Sequence, residues 1–390
     1  MTASTLYLDH NATTPLAPAA LAEMVDALQH AWANPSSTHA PGQAARRVLA
    51  DARARVAAFL GCQGSELVFT SGATEANHMA VLGALAAARA GGRRRLVLSA
   101  VEHPGLLALA QRLRDVDGVP VDLIGVDREG RLDMAAAHAL IDDDVALVSV
   151  MGANNETGVR MPIADIAAPA HARGALLHVD ATQLAGKAAL RFADSDADLM
   201  SVSAHKLGGP KGVGALLVRR GVVLPPLLSG RQERQRRGGT ENLPGIVGFA
   251  AACDALRATL ADDITRLAAL RDRLEQGLLA ALPQAEVLCS ASPRVCNTSC
   301  MLFGHLEAER VLGRLERAGL IAASGAACSA GGTLPSHVLQ ALGLDAQRAR
   351  GGVRFSLGRT HDSADIEIAI TAATRAIAPL LAEACDMAAA

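Results

Sequence analysis

A lysine beside a histidine and a glycine-rich turn can serve as an amine nucleophile. The run Ser201-Val202-Ser203-Ala204-His205-Lys206-Leu207-Gly208-Gly209-Pro210-Lys211-Gly212 places one just past a β-rich stretch, Leu199 to Ser203. Open α/β sheets hold their ligands at such strand ends. Desolvation or a cationic neighbour lowers an amine's pKa and makes it reactive toward carbonyl groups. Taken alone, the segment also reads as a solvated lysine in a surface loop.

Two further segments narrow the choice. His178-Val179-Asp180-Ala181-Thr182-Gln183 ends a second strand with an acid, 26 residues before Lys206. Such an acid can keep a pyridine nitrogen protonated, or it can cap a helix. Phe69-Thr70-Ser71-Gly72-Ala73-Thr74-Glu75-Ala76-Asn77 runs from a strand through small residues into a helix start. Free N–H groups and the helix dipole there suit a phosphate, and a capping box of Ser71 or Gly72 with Glu75 is the simpler reading. An amine, an acid and a phosphate turn at three strand ends together point to a pyridoxal-phosphate (PLP) site.

Those strand ends need a sheet to hold them. Short β-rich runs at Leu67 to Thr70, Leu96 to Ser99, Val121 to Val126, Val145 to Met151, Ala175 to Val179, Leu199 to Ser203 and Val213 to Val218 alternate with helical stretches such as Glu75 to Ala90, Leu106 to Arg114 and Ile163 to Arg173. That rhythm predicts an α/β fold with a mainly parallel central sheet flanked by helices. After the Arg-rich loop Arg231 to Arg237, a long helical stretch begins near Pro244 and runs past Leu270. Strands at Thr298 to Phe303 and Val353 to Leu357, with helices at Glu307 to Arg317 and Ala364 to Ala384, predict a smaller α+β unit. The expected division is a large domain over 15–260 and a small one built from 1–14 and 261–390.

Composition excludes other classes. Lys+Arg of 37 against Asp+Glu of 39, with aromatics at 2%, leaves neither a basic field nor stacking platforms for nucleic acid. The N-terminus lacks a basic stretch followed by an apolar run, and the apolar stretches are too short to span a bilayer, so a cytoplasmic protein with no membrane contact is expected. The seven cysteines are odd in number and scattered, which argues against a disulfide framework. Cys289, Cys296 and Cys300 lack zinc-ligand spacing and read as packing residues.

The whole chain resembles the NifS/IscS-type cysteine desulfurases, class-V aminotransferases among the fold type I PLP enzymes. The matching segments, in order, include Leu8-Asp9-His10-Asn11-Ala12-Thr13-Thr14, Asn34-Pro35-Ser36-Ser37, Thr70 to Glu75, Val101-Glu102-His103-Pro104, Asn154-Asn155-Glu156-Thr157-Gly158, His178 to Ala181, His205-Lys206, Arg237-Gly238-Gly239-Thr240-Glu241-Asn242, Cys328 and Arg354-Phe355-Ser356. The resemblance implies conversion of L-cysteine to L-alanine with a persulfide formed on Cys328, whose sulfur passes to iron–sulfur cluster assembly or another acceptor protein. A selenocysteine lyase or other class-V PLP enzyme is the alternative, and a PLP-holding relay protein without turnover is the non-enzymatic rival.

The same resemblance implies the roles. Lys206 carries PLP and moves the substrate Cα proton, Asp180 pairs with the ring nitrogen, Gln183 bonds the ring's phenolic oxygen, and His103 stacks on the ring as an acid/base. Thr74, Ser203 and His205, with the backbone around Ala73, hold the phosphate; Thr240 reaches the phosphate of a neighbouring subunit, implying a homodimer. Asn155 and Arg354 orient the substrate carboxylate. No metal is expected. Ser229-Gly230-Arg231-Gln232-Glu233-Arg234, Ala204 and Ala326 depart from the family's usual residues, and the C-terminus lacks the family's aromatic scaffold-docking tail.

Overall fold

The computed structural model describes residues 5–325 and 334–389. Cys328, and with it the expected sulfur-accepting loop, lies outside the described residues. Seven strands form the main sheet: β1 (Leu67–Thr70), β2 (Arg95–Ser99), β3 (Val121–Ile124), β4 (Val145–Met151), β5 (Leu176–Asp180), β6 (Leu199–Ser203) and β7 (Gly214–Val218). Their order is β3-β2-β4-β5-β6-β7-β1. All neighbours are parallel except β7, which runs antiparallel to both β6 and β1.

Strands β4, β6 and β7 are buried along their whole length, and β4 and β7 accordingly read as nearly continuous apolar runs rather than alternating ones. Helices cover both faces. On one face the Ala73–Ala88 helix packs Met79, Ala80, Ala84 and Leu85 against Leu98, Leu147 and Leu216. On the other, Phe249 and Leu256 of the Leu243–Arg257 helix join Val202, Ala215 and Leu217. Burying a Leu or Phe side chain contributes roughly 1.5–3 kcal/mol, so this two-sided cover makes the sheet a rigid platform for its strand ends.

His178 interrupts the apolar interior of β5. It is fully buried, with Ser149 Oγ of β4 at 2.8 Å from Nδ1 and Ser201 Oγ of β6 at 2.9 Å from Nε2. Burial pushes its pKa down to about 4 from 6.5, against a weaker upward pull from Asp180. The folded chain therefore refuses a proton that the unfolded chain binds, so this residue's contribution is complete above pH 6.5 and declines as pH falls toward 4. Between about pH 7.5 and about pH 5, wild type should lose about 2 kcal/mol more unfolding free energy than His178→Gln. Urea unfolding of both proteins at the two pH values checks this, and parallel losses would show that His178 is not the group concerned.

A second unit follows. Strands β8 (Ala285–Val287), β9 (Thr298–Phe303), β10 (Ala323–Ser324) and β11 (Val353–Ser356) form an antiparallel sheet of order β10-β11-β9-β8. Leu274, Phe303, Phe355, Ile366 and Ile377 build its core, together with Leu8 from the N-terminal segment. That segment pairs Leu6–Tyr7 in parallel with Leu320–Ile321, and Asp9 bridges to Ser356.

The long helical stretch after Pro244 is two helices, Leu243–Arg257 and Leu260–Ala281, bent by 73°. The break falls at Thr259, whose φ of −130° is non-helical and whose hydroxyl donates to Asp263 in the next helix. Among the described residues no single helix is long and apolar enough to cross a membrane.

Candidate active site

The C-terminal ends of β5 and β6 and the N-terminus of the Ala73–Ala88 helix surround a cavity of about 420 Å³. Ala73, Thr74, His103, Asn155, Asp180, Gln183, Ser203, His205 and Lys206 all line it. Thr240 instead lines an adjoining cavity of about 170 Å³ that shares Ser71 and Gly212 with the first. Arg354 does not line the main cavity. Its Nη1 donates to the Asn155 carbonyl at 3.0 Å and its Nη2 pairs with Asp9 at 2.5 Å, while Nε has no partner among the described residues.

One end of the cavity suits an anion. Gly72 caps the Ala73–Ala88 helix and leaves its first N–H groups to the cavity, with Thr74, Ser203, His205 and Lys211 around them. The expected capping box is only half formed. Glu75 reaches back to the Ser71 N–H at 2.7 Å, but no side chain caps the helix, and the carboxylate also pairs with Arg237 at 2.8 Å. Gly214 lets the backbones meet here, since a Cβ on it would lie 2.7 Å from the Gly72 Cα. Burial, followed by repulsion from Lys206, Lys211 and Lys187, lowers the His205 pKa to about 4. Its imidazole is therefore neutral near pH 7.

Another part of the lining suits a protonated heterocyclic nitrogen. Asp180 is buried, accepting from Asn77 Nδ2 at 2.8 Å and from the Thr182 N–H at 3.0 Å. Thr182 also lines the cavity, and its buried Oγ1 has no partner among the described residues. His103 forms the third wall. It caps the Pro104–Asp115 helix, and its Nδ1 accepts from the Gly105 N–H at 3.1 Å, so in the neutral ring the proton sits on Nε2. Burial lowers its pKa, Asp180 raises it, and Lys206 and His337 lower it further.

A polar hub behind the cavity was not read from the sequence. The Asn11 carbonyl accepts from Lys206 Nζ at 2.5 Å and from Gln183 Nε2 at 2.9 Å. Its side chain bonds Lys187 at 2.7 Å, Thr298 at 2.9 Å and Asn297 at 3.2 Å. Lys187 also donates to Gln183 Oε1. Burial and repulsion from Lys206 and Arg354 push its ammonium well below the ordinary lysine range. Glu102 supports the His103 wall from inside, accepting from Ser99 Oγ at 2.5 Å and the Met151 N–H at 2.6 Å. Burial raises its pKa to about 8, against those two bonds and with a further push from Asp180.

The Arg231 to Arg237 loop turns one side chain, Glu233, inward. Glu233, Arg234 and Gln235 have φ of 46°, 57° and 65°, a left-handed run that side chains disfavour. Glu233 is buried, pairing with Arg53 at 2.5 Å and accepting from the Phe69 N–H at 2.9 Å. Those bonds anchor the loop beside β1.

The class-V aminotransferase profile matches residues 6–368. A protein of Cereibacter sphaeroides named cysteine desulfurase is 47% identical over 364 residues, covering 93% of each chain. Among solved structures, a NifS-like protein superposes with a TM-score of 0.87 at 31% identity, over 95% of this chain and 98% of its own. Another, described as SspA in complex with cysteine, has a TM-score of 0.80 at 30% identity, over 90% and 99%. Likeness of this extent means that the chain belongs to the class-V aminotransferase family.

Proposed function

We propose that this chain is a PLP-dependent cysteine desulfurase. The observation that carries the reading is one cavity bounded by an amine, a buried acid and a helix N-terminus, in a chain alike over nearly its whole length to a protein named for that activity. The donor set fits the cofactor: a phosphate would meet Thr74, Ser203, His205 and the helix N–H groups, a pyridine nitrogen would meet Asp180, and an aldehyde would meet Lys206. Bound there, PLP supplies an electron sink for carbanion chemistry at the substrate Cα.

The protein supplies the rest. Asp180, fixed by Asn77 and Thr182, keeps its charge aimed at the ring nitrogen. Lys206 Nζ takes the Cα proton of L-cysteine and returns one to the carbon skeleton. His103, with its proton on Nε2, serves as the acid/base at the opposite wall. Asn155 and Arg354 orient the substrate carboxylate, and Arg354 also holds Asn155 through its carbonyl. The substrate C–S bond breaks and an S–S bond forms on Cys328. L-cysteine plus one enzyme thiol gives L-alanine plus one enzyme persulfide: of the two thiol protons one stays on the persulfide and the other is balanced by the new C–H bond of alanine, so no external oxidant or reductant is needed.

The persulfide sulfur then goes to an acceptor protein such as an iron–sulfur scaffold. The working form is a cytoplasmic homodimer in which Thr240 completes the partner's phosphate site. Incubation with L-cysteine and a thiol reductant tests the reading: alanine and sulfide should appear in equal amounts, and no alanine would overturn it.

Asp180→Ala should weaken cofactor retention roughly 10- to 100-fold, as loss of a charge-assisted hydrogen bond implies. Dialysis followed by the ratio of visible to protein absorbance measures this. Retention equal to wild type would remove Asp180 from the ring-nitrogen role.

A further inference from the structure

Glu156 is a buried acid that the reaction does not use. It sits in the Asn154–Gly158 turn after β4, is 2% exposed, and its N–H donates to Asn154 Oδ1 at 2.9 Å. Its Oε2 accepts from Ser336 Oγ at 2.6 Å. Gly325 crowds the same oxygen so closely that a Cβ there would lie 1.9 Å from it. Gly325 and Ser336 stand on either side of the sequence stretch that contains Cys328. One carboxyl therefore touches the chain on both sides of that stretch, while the next residue back, Asn155, lines the cavity.

A neighbouring contact runs the same way. His337 Nε2 lies 2.9 Å from the Glu102 carbonyl, one residue before His103. The chain after Cys328 is thus fastened to two cavity walls, through Glu156 and through Glu102. The side chain of Ser336 has a second duty, capping the His337–Ala341 helix by accepting from the Leu339 N–H. Glycine at 325 follows from the crowding, since any side chain there would evict the carboxyl.

We propose that Glu156 is a positioning residue for sulfur transfer, holding both chain segments that flank Cys328 against the turn that supplies Asn155. This rests on the desulfurase reading for its consequence, and on Gly325, Ser336 and Glu156 for its geometry. Burial raises the Glu156 pKa, opposed by the Ser336 bond and by His337 and Arg354. An uncharged amide of the same shape is accordingly a fair replacement.

The test compares holoenzymes of Glu156→Ala, Glu156→Gln, Gly325→Ala and Glu156→Ala/Gly325→Ala with wild type. Misplaced reacting groups cost roughly 10- to 100-fold, so Glu156→Ala and Gly325→Ala should each lose that much kcat for alanine release. The change in cofactor absorbance on adding L-cysteine should keep its wild-type concentration dependence. Glu156→Gln should restore kcat, and the double variant should be no worse than the poorer single one, as for residues in contact.

Cys328 alkylation by iodoacetamide, followed by mass spectrometry, gives a readout independent of turnover. Its rate should change in both single alanine variants and return to the wild-type value in Glu156→Gln. Unchanged kcat and alkylation in Glu156→Ala would overturn the proposal, as would additive losses in the double variant. A wild type that makes no alanine sinks the desulfurase reading instead, and the alkylation rates still decide the role of Glu156.

Discussion

Replacing Lys206 with alanine is expected to abolish the visible absorption of the holoenzyme and to cut alanine release by about 10³-fold or more, since both the nucleophilic amine and the proton carrier are lost. The prediction is sharp because the chain holds only three lysines, Lys187, Lys206 and Lys211. All three converge on this site. Lys187 is buried behind the cavity wall and committed to Asn11 and Gln183. Lys211 lines the cavity beside Gly212, at the end that suits an anion. Lys206 follows β6 directly, and its Nζ is drawn to the cavity edge by the Asn11 and Ala12 carbonyls, at 2.5 and 2.8 Å.

Borohydride reduction followed by peptide mapping should therefore place the cofactor on Lys206. Lys211→Ala should keep the visible band and lose cofactor affinity. A band that survives in Lys206→Ala and vanishes in Lys211→Ala would exchange the two roles.

The positions of Lys206, Asp180 and the turn before Thr74 were legible in the sequence because each stands at the end of a buried strand. Leu67–Thr70, Val145–Met151, Leu199–Ser203 and Thr298–Phe303 have the bounds that their apolar runs predict. Local patterns suffice there, because burial along the whole strand leaves only apolar and small hydroxyl residues and no charge in any of the four. The bend at Thr259 leaves no mark in the sequence pattern, because apolar periodicity continues on both sides of it. The Asn11 hub has no local signature for a different reason. It joins residues 172 and 176 positions away, Gln183 and Lys187, and Asn77 meets Asp180 across 103 positions. No local spacing encodes such pairs; only the strand order brings them together. Arg354 shows the converse, a side chain expected to meet substrate whose contacts in the fold, the Asn155 carbonyl and Asp9, no local spacing announces.

Cys328→Ala is expected to lower alanine release by about three orders of magnitude or more, the scale of losing a nucleophile, while leaving the visible spectrum and the response to L-cysteine intact. The other cysteines sharpen this. Burial raises the pKa of Cys62 and of Cys289 to about 12, and it also raises Cys253, Cys296 and Cys300. Near neutral pH these five remain thiols, and only the thiolate attacks sulfur. Alanine replacements at Cys62 and Cys289 should therefore leave turnover unchanged. Alanine release that persists in Cys328→Ala would require another sulfur acceptor. Trapping with a thiol-alkylating reagent, followed by peptide mapping, would show whether that acceptor is Cys385 or the added reductant. A persulfide mapped to Cys328 in wild type, with none formed in the variant, would fix the chemistry on this one side chain and leave the protein's acceptor as the next object to identify.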